Sequence, residues 1–368
     1  MSKTAFIITM HCPLNYGAIL QTYALQTYIE SLGIKVRVID YRPEYIVDNQ
    51  SYMYVGDVRF KRLAILRWAY RLSKAPSKFK SIKAFKLFSN NELHLTPTFH
   101  TFAEIKAANL IGDFFICGSD QIWNVVSGAY KDPSYFLGFV PDNIKKISYA
   151  ASGNLPITNE TKDITIPMIN RIDCISMREE STIETIQPYV NKAISHVCDP
   201  VFLLSSESWR MLYKRHSRLR LKGKYVLAYP MGNGVDKVIQ KAIRIANHLN
   251  LPVYLLSASQ RRDSRITKQF NVNPYDFLSL IDNAEVIVTN SFHGTSFSII
   301  FKKQFWTTVA EGSNQRITSL LAKAGLQDRL LIDDCLPDLD SVIDYNNKLN
   351  VLQGFIHQSK DFVHSSLL

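Results

Sequence analysis

The sequence has no apolar run near the roughly 20 residues needed to cross a bilayer, which excludes a membrane-spanning helix. Its five cysteines (Cys12, Cys117, Cys174, Cys198 and Cys335) form no CxxC pair and no metal-ligand spacing. That argues against a disulfide scaffold and against a metal module, so no metal is expected. Four of the five fall in or at the end of predicted strands, where a free thiol behaves as a small buried hydrophobe. No helix-turn-helix, zinc finger or RNP-like aromatic pattern is present, so nucleic acid is not an expected partner. The apolar run in Met1–Met10 is too short for a signal peptide and lacks a small-residue cleavage site. It reads as a first strand, and the expected location is the cytoplasm.

Acidic residues are missing from one long stretch. Between Arg59 and Lys86 stand ten cations (Arg59, Lys61, Arg62, Arg67, Arg71, Lys74, Lys78, Lys80, Lys83 and Lys86) and no Asp or Glu, in a chain of formal charge +11. Phe60, Leu63, Leu66 and Tyr70, with Trp68, give part of this segment an apolar stripe at helical spacing. Such a segment covers its own domain as a solvated helix, lies on an anionic membrane surface or contacts acidic ligands. A peripheral position at the inner face of the membrane would lean on Lys78, Lys80, Lys83 and Lys86.

What is present in abundance is alternation of strands and helices. At 368 residues and 46% hydrophobic content, the chain suits two ordinary domains rather than one core. Strands are predicted at Ala5–Thr9, Lys35–Tyr41, Phe114–Cys117, Ile147–Ala150, Cys174–Met177 and Ala193–Val197. A helical pattern from Ala18 to Leu32 ends at Gly33. After a basic stretch the alternation restarts at Tyr225–Tyr229, with a helix over Val235–Leu249. Strands follow at Val253–Leu256 and Val286–Val288, with Phe305–Val309 the last. The expected fold class is α/β: two doubly wound, Rossmann-like domains facing across a cleft. The divisions expected are an N-terminal domain over 1–208 with the basic helical segment 59–88, a basic linker over 209–224, a C-terminal domain over 225–338, and a C-terminal helix over 339–368.

The most informative segment is Ala284–Ser296. An apolar run ends in the polar corner Asn290-Ser291-Phe292-His293-Gly294, and a helix is expected from Thr295 to Phe301. This order places His293 at the carboxyl end of a strand beside a helix N-terminus, where ligands of open α/β sheets bind and anions are favoured. An imidazole there suits a phosphate- or carboxylate-bearing substrate; a helix-capping corner with an incidental His explains the same residues.

Four other loops fall at strand or helix ends. Asn15-Tyr16-Gly17 follows the first strand and can present backbone N–H groups. Gly118-Ser119-Asp120-Gln121-Ile122-Trp123-Asn124 follows another; there Asp120 can take a proton from a sugar hydroxyl and Trp123 offers a flat face to a sugar ring. The alternative is an Asp cap with Trp in the core. Arg178 can hold a phosphate or carboxylate with two parallel bonds, or can simply pair with Glu179 or Glu180. The loop Glu311-Gly312-Ser313-Asn314-Gln315-Arg316-Ile317 offers Arg316 to an anion.

Taken in order, these loops, together with Arg178-Glu179, Cys198-Asp199-Pro200 and Ser291-Phe292-His293-Gly294, resemble the polysaccharide pyruvyl transferases over most of the chain. The resemblance implies a GT-B-like two-domain fold, and transfer of the enolpyruvyl group of phosphoenolpyruvate to two hydroxyls of a sugar, giving a cyclic pyruvate ketal in bacterial surface-polysaccharide assembly. Phosphoenolpyruvate is then a co-substrate and no cofactor is needed. His293 matches the family's catalytic histidine, Arg178 a substrate-binding arginine and Asp120 an acidic position. The set expected at the donor is Arg178, Arg316, Ser291, Gly294 and Asn314. That expected at the acceptor, a free or polyprenyl-diphosphate-linked saccharide, is Asn15, Tyr16, Gly17, Gln121, Trp123 and Asn124. Many members carry Arg-Leu-His where this chain has Ser291-Phe292-His293, so the missing cation is expected from Arg316 or from Lys302 and Lys303. The other readings are a nucleotide-sugar glycosyltransferase, with Glu311 gripping the ribose, and a non-catalytic saccharide-binding protein.

Overall fold

The computed structural model describes residues 3–47, 64–232, 234–258, 261–309, 315–332, 337–339 and 341–368, with side chains throughout except at 64–77. The chain divides into two compact units. One comprises Met1–Ile82, Lys86–Leu203 and Ile356–Leu368; the other comprises Leu204–Phe355 with Lys83–Phe85.

In the first unit the elements run β1 (Thr4–Ile8), α1 (Tyr16–Ser31), β2 (Lys35–Tyr41), α2 (Glu44–Val47), α3 (Ala64–Glu92), β3 (Leu95–Phe99), α4 (Phe102–Ala107), β4 (Phe114–Gly118), β5 (Lys145–Ala151), α5 (Asn159–Asn170), β6 (Cys174–Met177), α6 (Glu180–Ile186) and β7 (Ile194–His196). The strands form one sheet in the order β3-β2-β1-β4-β5-β6-β7, and the ladders are parallel. Strand order reverses between β1 and β4, whose register Ile8↔Cys117 brings their carboxyl ends level. Ligands of doubly wound sheets bind at such a reversal. β1 and β4 are apolar on both faces because helices cover both, and Ile7, Ile8, Ile116 and Cys117 are buried.

The second unit contains α7 (Ser206–His216), β8 (Val226–Tyr229), α8 (Val235–Leu249), β9 (Val253–Leu256), β10 (Ile266–Phe270), α9 (Pro274–Asn283), β11 (Val286–Thr289), α10 (Phe292–Ile300), β12 (Gln304–Thr308), α11 (Gln315–Ala324), β13 (Leu330–Leu331), α12 (Tyr345–Lys348) and the start of α13 (Asn350–Leu367). Its parallel sheet has the order β10-β9-β8-β11-β12-β13, reversing between β8 and β11. α8 shows why the pattern folds this way. Val238, Ile239, Ala242, Ile243 and Ala246, at helical spacing, are the positions it buries.

Three strands lie outside the sequence reading, β3, β10 and β13, and each is the edge or the last short strand of its sheet. Phe305–Val309 is therefore not the final strand. The supposed basic linker is also corrected. Its first half is α7, in which Trp209 packs edge-on against Phe297 at 5.1 Å and Arg210 and Tyr213 bond the Asp282 carboxylate. The closing helix α13 returns to the first unit, where Phe362 lies 6.4 Å from the Tyr149 ring and Ser359 Oγ accepts from the Cys198 N–H.

Candidate functional site

In the second unit β11 ends at Thr289 and α10 begins only three residues later. Ser291 is the N-cap: its Oγ accepts from the Gly294 N–H at 3.2 Å, and its carbonyl accepts from the Thr295 N–H and hydroxyl. The corner is tied to its neighbour strand, since Thr289 Oγ1 donates to the Tyr229 carbonyl and accepts from the Ser291 N–H. Gly294 is needed for close approach. A Cβ there would stand 2.6 Å from Thr289 Oγ1 and 2.9 Å from the Tyr229 ring. His293 therefore sits inside the first turn of α10 rather than before the helix, buried to 7% exposure, with its ring edge-on to Phe292. The imidazole is held at the positive end of a helix at the point where strand order reverses.

Two further chain segments reach this edge of the sheet. The loop after β8 carries Gly232 and Gly234 at positive φ, and its Met231 backbone is bonded at both N–H and carbonyl by the Asn290 side chain. α11 follows β12, which pairs with β11, and carries half-buried Arg316 in its first turn. Asn314 and Glu311 lie outside the described residues. Lys302 and Lys303 are corrected. They precede β12, at the amino end of the sheet, and Lys303 Nζ bonds the Asp282 carbonyl there. In a parallel sheet that is the edge opposite His293. Sequence reasoning overlooked Arg261, which follows β9 and bonds Asp236 in the first turn of α8 at 2.6 Å.

In the first unit the structure gathers the other expected residues around the carboxyl ends of β1 and β4. Asn15 caps α1, its Oδ1 accepting from the Gly17 N–H, with half-buried Tyr16 between them. Asp120 has φ 62° and is half-buried. Its backbone carbonyl accepts from the Ile122 and Ser152 N–H groups, while Trp123 N–H bonds the Ser152 carbonyl. Gln121 and Asn124 are joined side chain to side chain at 2.5 Å. Gly153 lets this loop lie against the next one, since a Cβ there would collide with the Trp123 backbone. The expected sugar platform is corrected: Trp123 is fully buried, stacked on Phe136 at 5.1 Å, and its indole N–H donates to the Tyr135 carbonyl.

Arg178 lies deeper than a ligand-facing arginine. Its side chain is 4% exposed; Nε bonds Glu179, Nη1 bonds Asp199 at 2.6 Å and Nη2 bonds Ser152 at 2.7 Å. Burial would lower its pKa, but the carboxylates of Glu179, Asp199 and Asp120 outweigh burial and raise it. The pair foreseen with Glu179 is thus real, but buried and completed by Asp199 from 21 residues away. The sequence reading missed a second buried cluster. His11, just past β1, bonds Asp40 at 2.8 Å through Nε2, and its Nδ1 lies 3.2 Å from the Thr9 carbonyl. Arg42 Nε and Thr98 Oγ1 also donate to Asp40. Burial alone would raise the Asp40 pKa; these bonds hold it well below the usual carboxylate range. The only available signal was a His and an Asp just past or near the ends of adjacent strands.

Among the described residues no group of three or more His, Cys, Asp or Glu is placed to hold a metal, and no helix is long and apolar enough to cross a membrane.

The fold is shared with solved structures. A UDP-GlcNAc 2-epimerase from Neisseria meningitidis is similar with a TM-score of 0.54 at 9% identity, covering 100% of this chain and 99% of that one. The Methanocaldococcus jannaschii enzyme of the same description, in complex with UDP-GlcNAc and UDP, gives 0.50 at 11% identity, again covering 100% and 99%. At such identities the likeness is one of fold alone. It places the chain among two-domain α/β proteins of GT-B-like fold. No curated sequence matches it. The sequence matches the family Polysaccharide pyruvyl transferase over residues 15–309, and the chain belongs to that family.

Proposed function

We propose that this protein transfers the pyruvyl group of phosphoenolpyruvate to two hydroxyls of one sugar in a saccharide acceptor, forming a cyclic ketal. The observation that carries the reading is His293, an imidazole seated in the first turn of α10 at the strand reversal of the second unit. Phosphoenolpyruvate bears a phosphate and a carboxylate, and a helix N-terminus favours both. His293 gives its proton to the donor's methylene carbon, and an acceptor hydroxyl then attacks the adjacent carbon. The phosphate leaves from that carbon and the second hydroxyl closes the ring, each hydroxyl releasing its proton. Asp120 takes the proton of an attacking hydroxyl. Ser291, Gly294, Asn314 and Arg316 are assigned to the donor. Asn15, Tyr16, Gly17, Gln121 and Asn124 are assigned to the acceptor. Arg178 is better read as the cation that neutralises Glu179 and Asp199 beneath Asp120 than as a donor grip, because its bonds run to carboxylates.

The test is phosphate release from phosphoenolpyruvate in the presence of a panel of lipid-linked and nitrophenyl glycosides. Acceptor-dependent release that vanishes in His293→Ala supports donor and residue together. Failure to bind phosphoenolpyruvate, with tight binding of a uridine or guanosine diphosphate sugar, would replace this reading with a glycosyltransferase.

A further inference from the structure

α3 is 29 residues long, and its last turns are amphipathic in an unusual sense. At 3.6 residues per turn, Ser81, Phe85, Phe88 and Ser89 fall on one side, and all four are buried. Phe88 packs edge-on against Tyr23 of α1 at 6.0 Å, and the Glu92 carbonyl accepts from Gln26. The opposite sector, about 120° wide, holds Lys86, Phe79, Lys83, Leu87 and Lys80 in that angular order. All five are exposed, Phe79 to 60% and Leu87 to 54%.

Two things separate this face from an ordinary solvated one. Several surface cations elsewhere are paired, as Lys131 is with Glu160, Arg171 with Asp142 and Lys348 with Asp328. Lys80, Lys83 and Lys86 have no ion pair among the described residues, and the sequence places no acid anywhere from Arg59 to Lys86. The apolar side chains stand among the lysines rather than opposite them. Lys78 is excluded from the face: it is half-buried, and burial lowers its pKa.

We propose that this sector is a docking face for an anionic bilayer surface, with Phe79 and Leu87 entering the headgroup–acyl boundary and Lys80, Lys83 and Lys86 engaging lipid phosphates. Lysines on long stems around two apolar side chains match that boundary in polarity. A purely electrostatic partner such as nucleic acid has no use for exposed Phe and Leu. The inference stands apart from the proposed reaction, to which it adds only where a lipid-linked acceptor would be met.

The experiment is co-sedimentation of the full chain with phosphatidylcholine vesicles containing or lacking phosphatidylglycerol. The wild type should bind only the anionic vesicles, and less as salt rises. K80Q/K83Q/K86Q should bind roughly a hundredfold more weakly, about fivefold for each lysine. F79S/L87S should lose the binding that persists at high salt. Circular dichroism should match wild type in both variants, since the substituted side chains are exposed. Phosphate release with a soluble acceptor should also be unchanged in the lysine variant, which keeps this test separate from that of the reaction. Wild-type binding indifferent to phosphatidylglycerol, or undiminished in K80Q/K83Q/K86Q, would overturn the proposal. So would retention on a DNA fragment without retention on vesicles.

Discussion

The two units share a fold plan and differ in how they use charge at the carboxyl edges of their sheets. In the first unit the edge is rich in carboxylates. Asp40 and Asp199 are buried there, Glu179 and Asp120 are half-buried, and Arg42 and Arg178 are bonded to the first three. In the second unit the edge offers the α10 N-terminus, His293, Arg316 and the glycine loop after β8, and the carboxylate in the first turn of α8, Asp236, is exposed and paired with Arg261. An acidic edge suits hydroxyl-bearing ligands; an edge of imidazole, arginine and helix N-termini suits an anion. The proposed division of donor and acceptor between the units rests on this contrast rather than on the fold they have in common.

The contrast breaks most sharply at His293. Replacing it with Ala should lower acceptor-dependent phosphate release by about 10²–10⁴-fold, the usual worth of a positioned general acid. Phosphoenolpyruvate binding, followed calorimetrically, should weaken far less, because the helix N-terminus remains. A variant that turns over normally would remove the second unit's claim to the chemistry.

Arg178→Met tests the first unit. Removing the guanidinium leaves Glu179 and Asp199 buried without their counter-ion, which should cost about 3–5 kcal/mol in urea unfolding. If Arg178 instead grips the donor, unfolding would change little and the KM for phosphoenolpyruvate would rise. That outcome would make the two edges alike.

How much of this was legible depended on whether the signal was local. The inner strands were read because burial on both faces makes them apolar runs, as in Phe114–Cys117 and Val286–Val288. β3, β10 and β13 were not, for edge strands need no such run. β3 contains Pro97, tolerated where no neighbour needs its N–H, β10 is half-exposed, and β13 has two residues. His293 was legible because strand, turn and helix are consecutive. Arg178 was seen, but its Asp199 partner comes from another strand end, and only the fold supplies it. Trp123 was misread for the same reason: its burial depends on Phe136 and the Tyr135 carbonyl, both contributed by a later segment.

Smaller effects sharpen the comparison. Asp40 has its pKa depressed in the folded state, so its stabilising contribution is present above the unfolded carboxylate value of about 3.9 and is lost as pH falls below it. Asp40→Asn should reduce stability at neutral pH by about 2–3 kcal/mol, the worth of hydrogen bonds to a charged group. It should also flatten the decline expected of wild-type denaturation midpoints below about pH 4. An unaltered acid limb would mean that His11 and Arg42 do not hold this carboxylate in solution.

The smallest effect decides whether Trp123 belongs to the acidic edge or to the core beneath it. Trp123→Phe keeps an aromatic ring against Phe136 but leaves the Tyr135 carbonyl without its indole donor, so a loss of about 1–3 kcal/mol is expected, the cost of an unsatisfied buried acceptor. The KM for the saccharide should be unchanged, since a fully buried ring meets no ligand. A raised acceptor KM at unaltered stability would return Trp123 to the surface of the site. The loop from Asp120 to Asn124 would then have to open for the acceptor to enter, and the first unit's edge would have to move during the reaction.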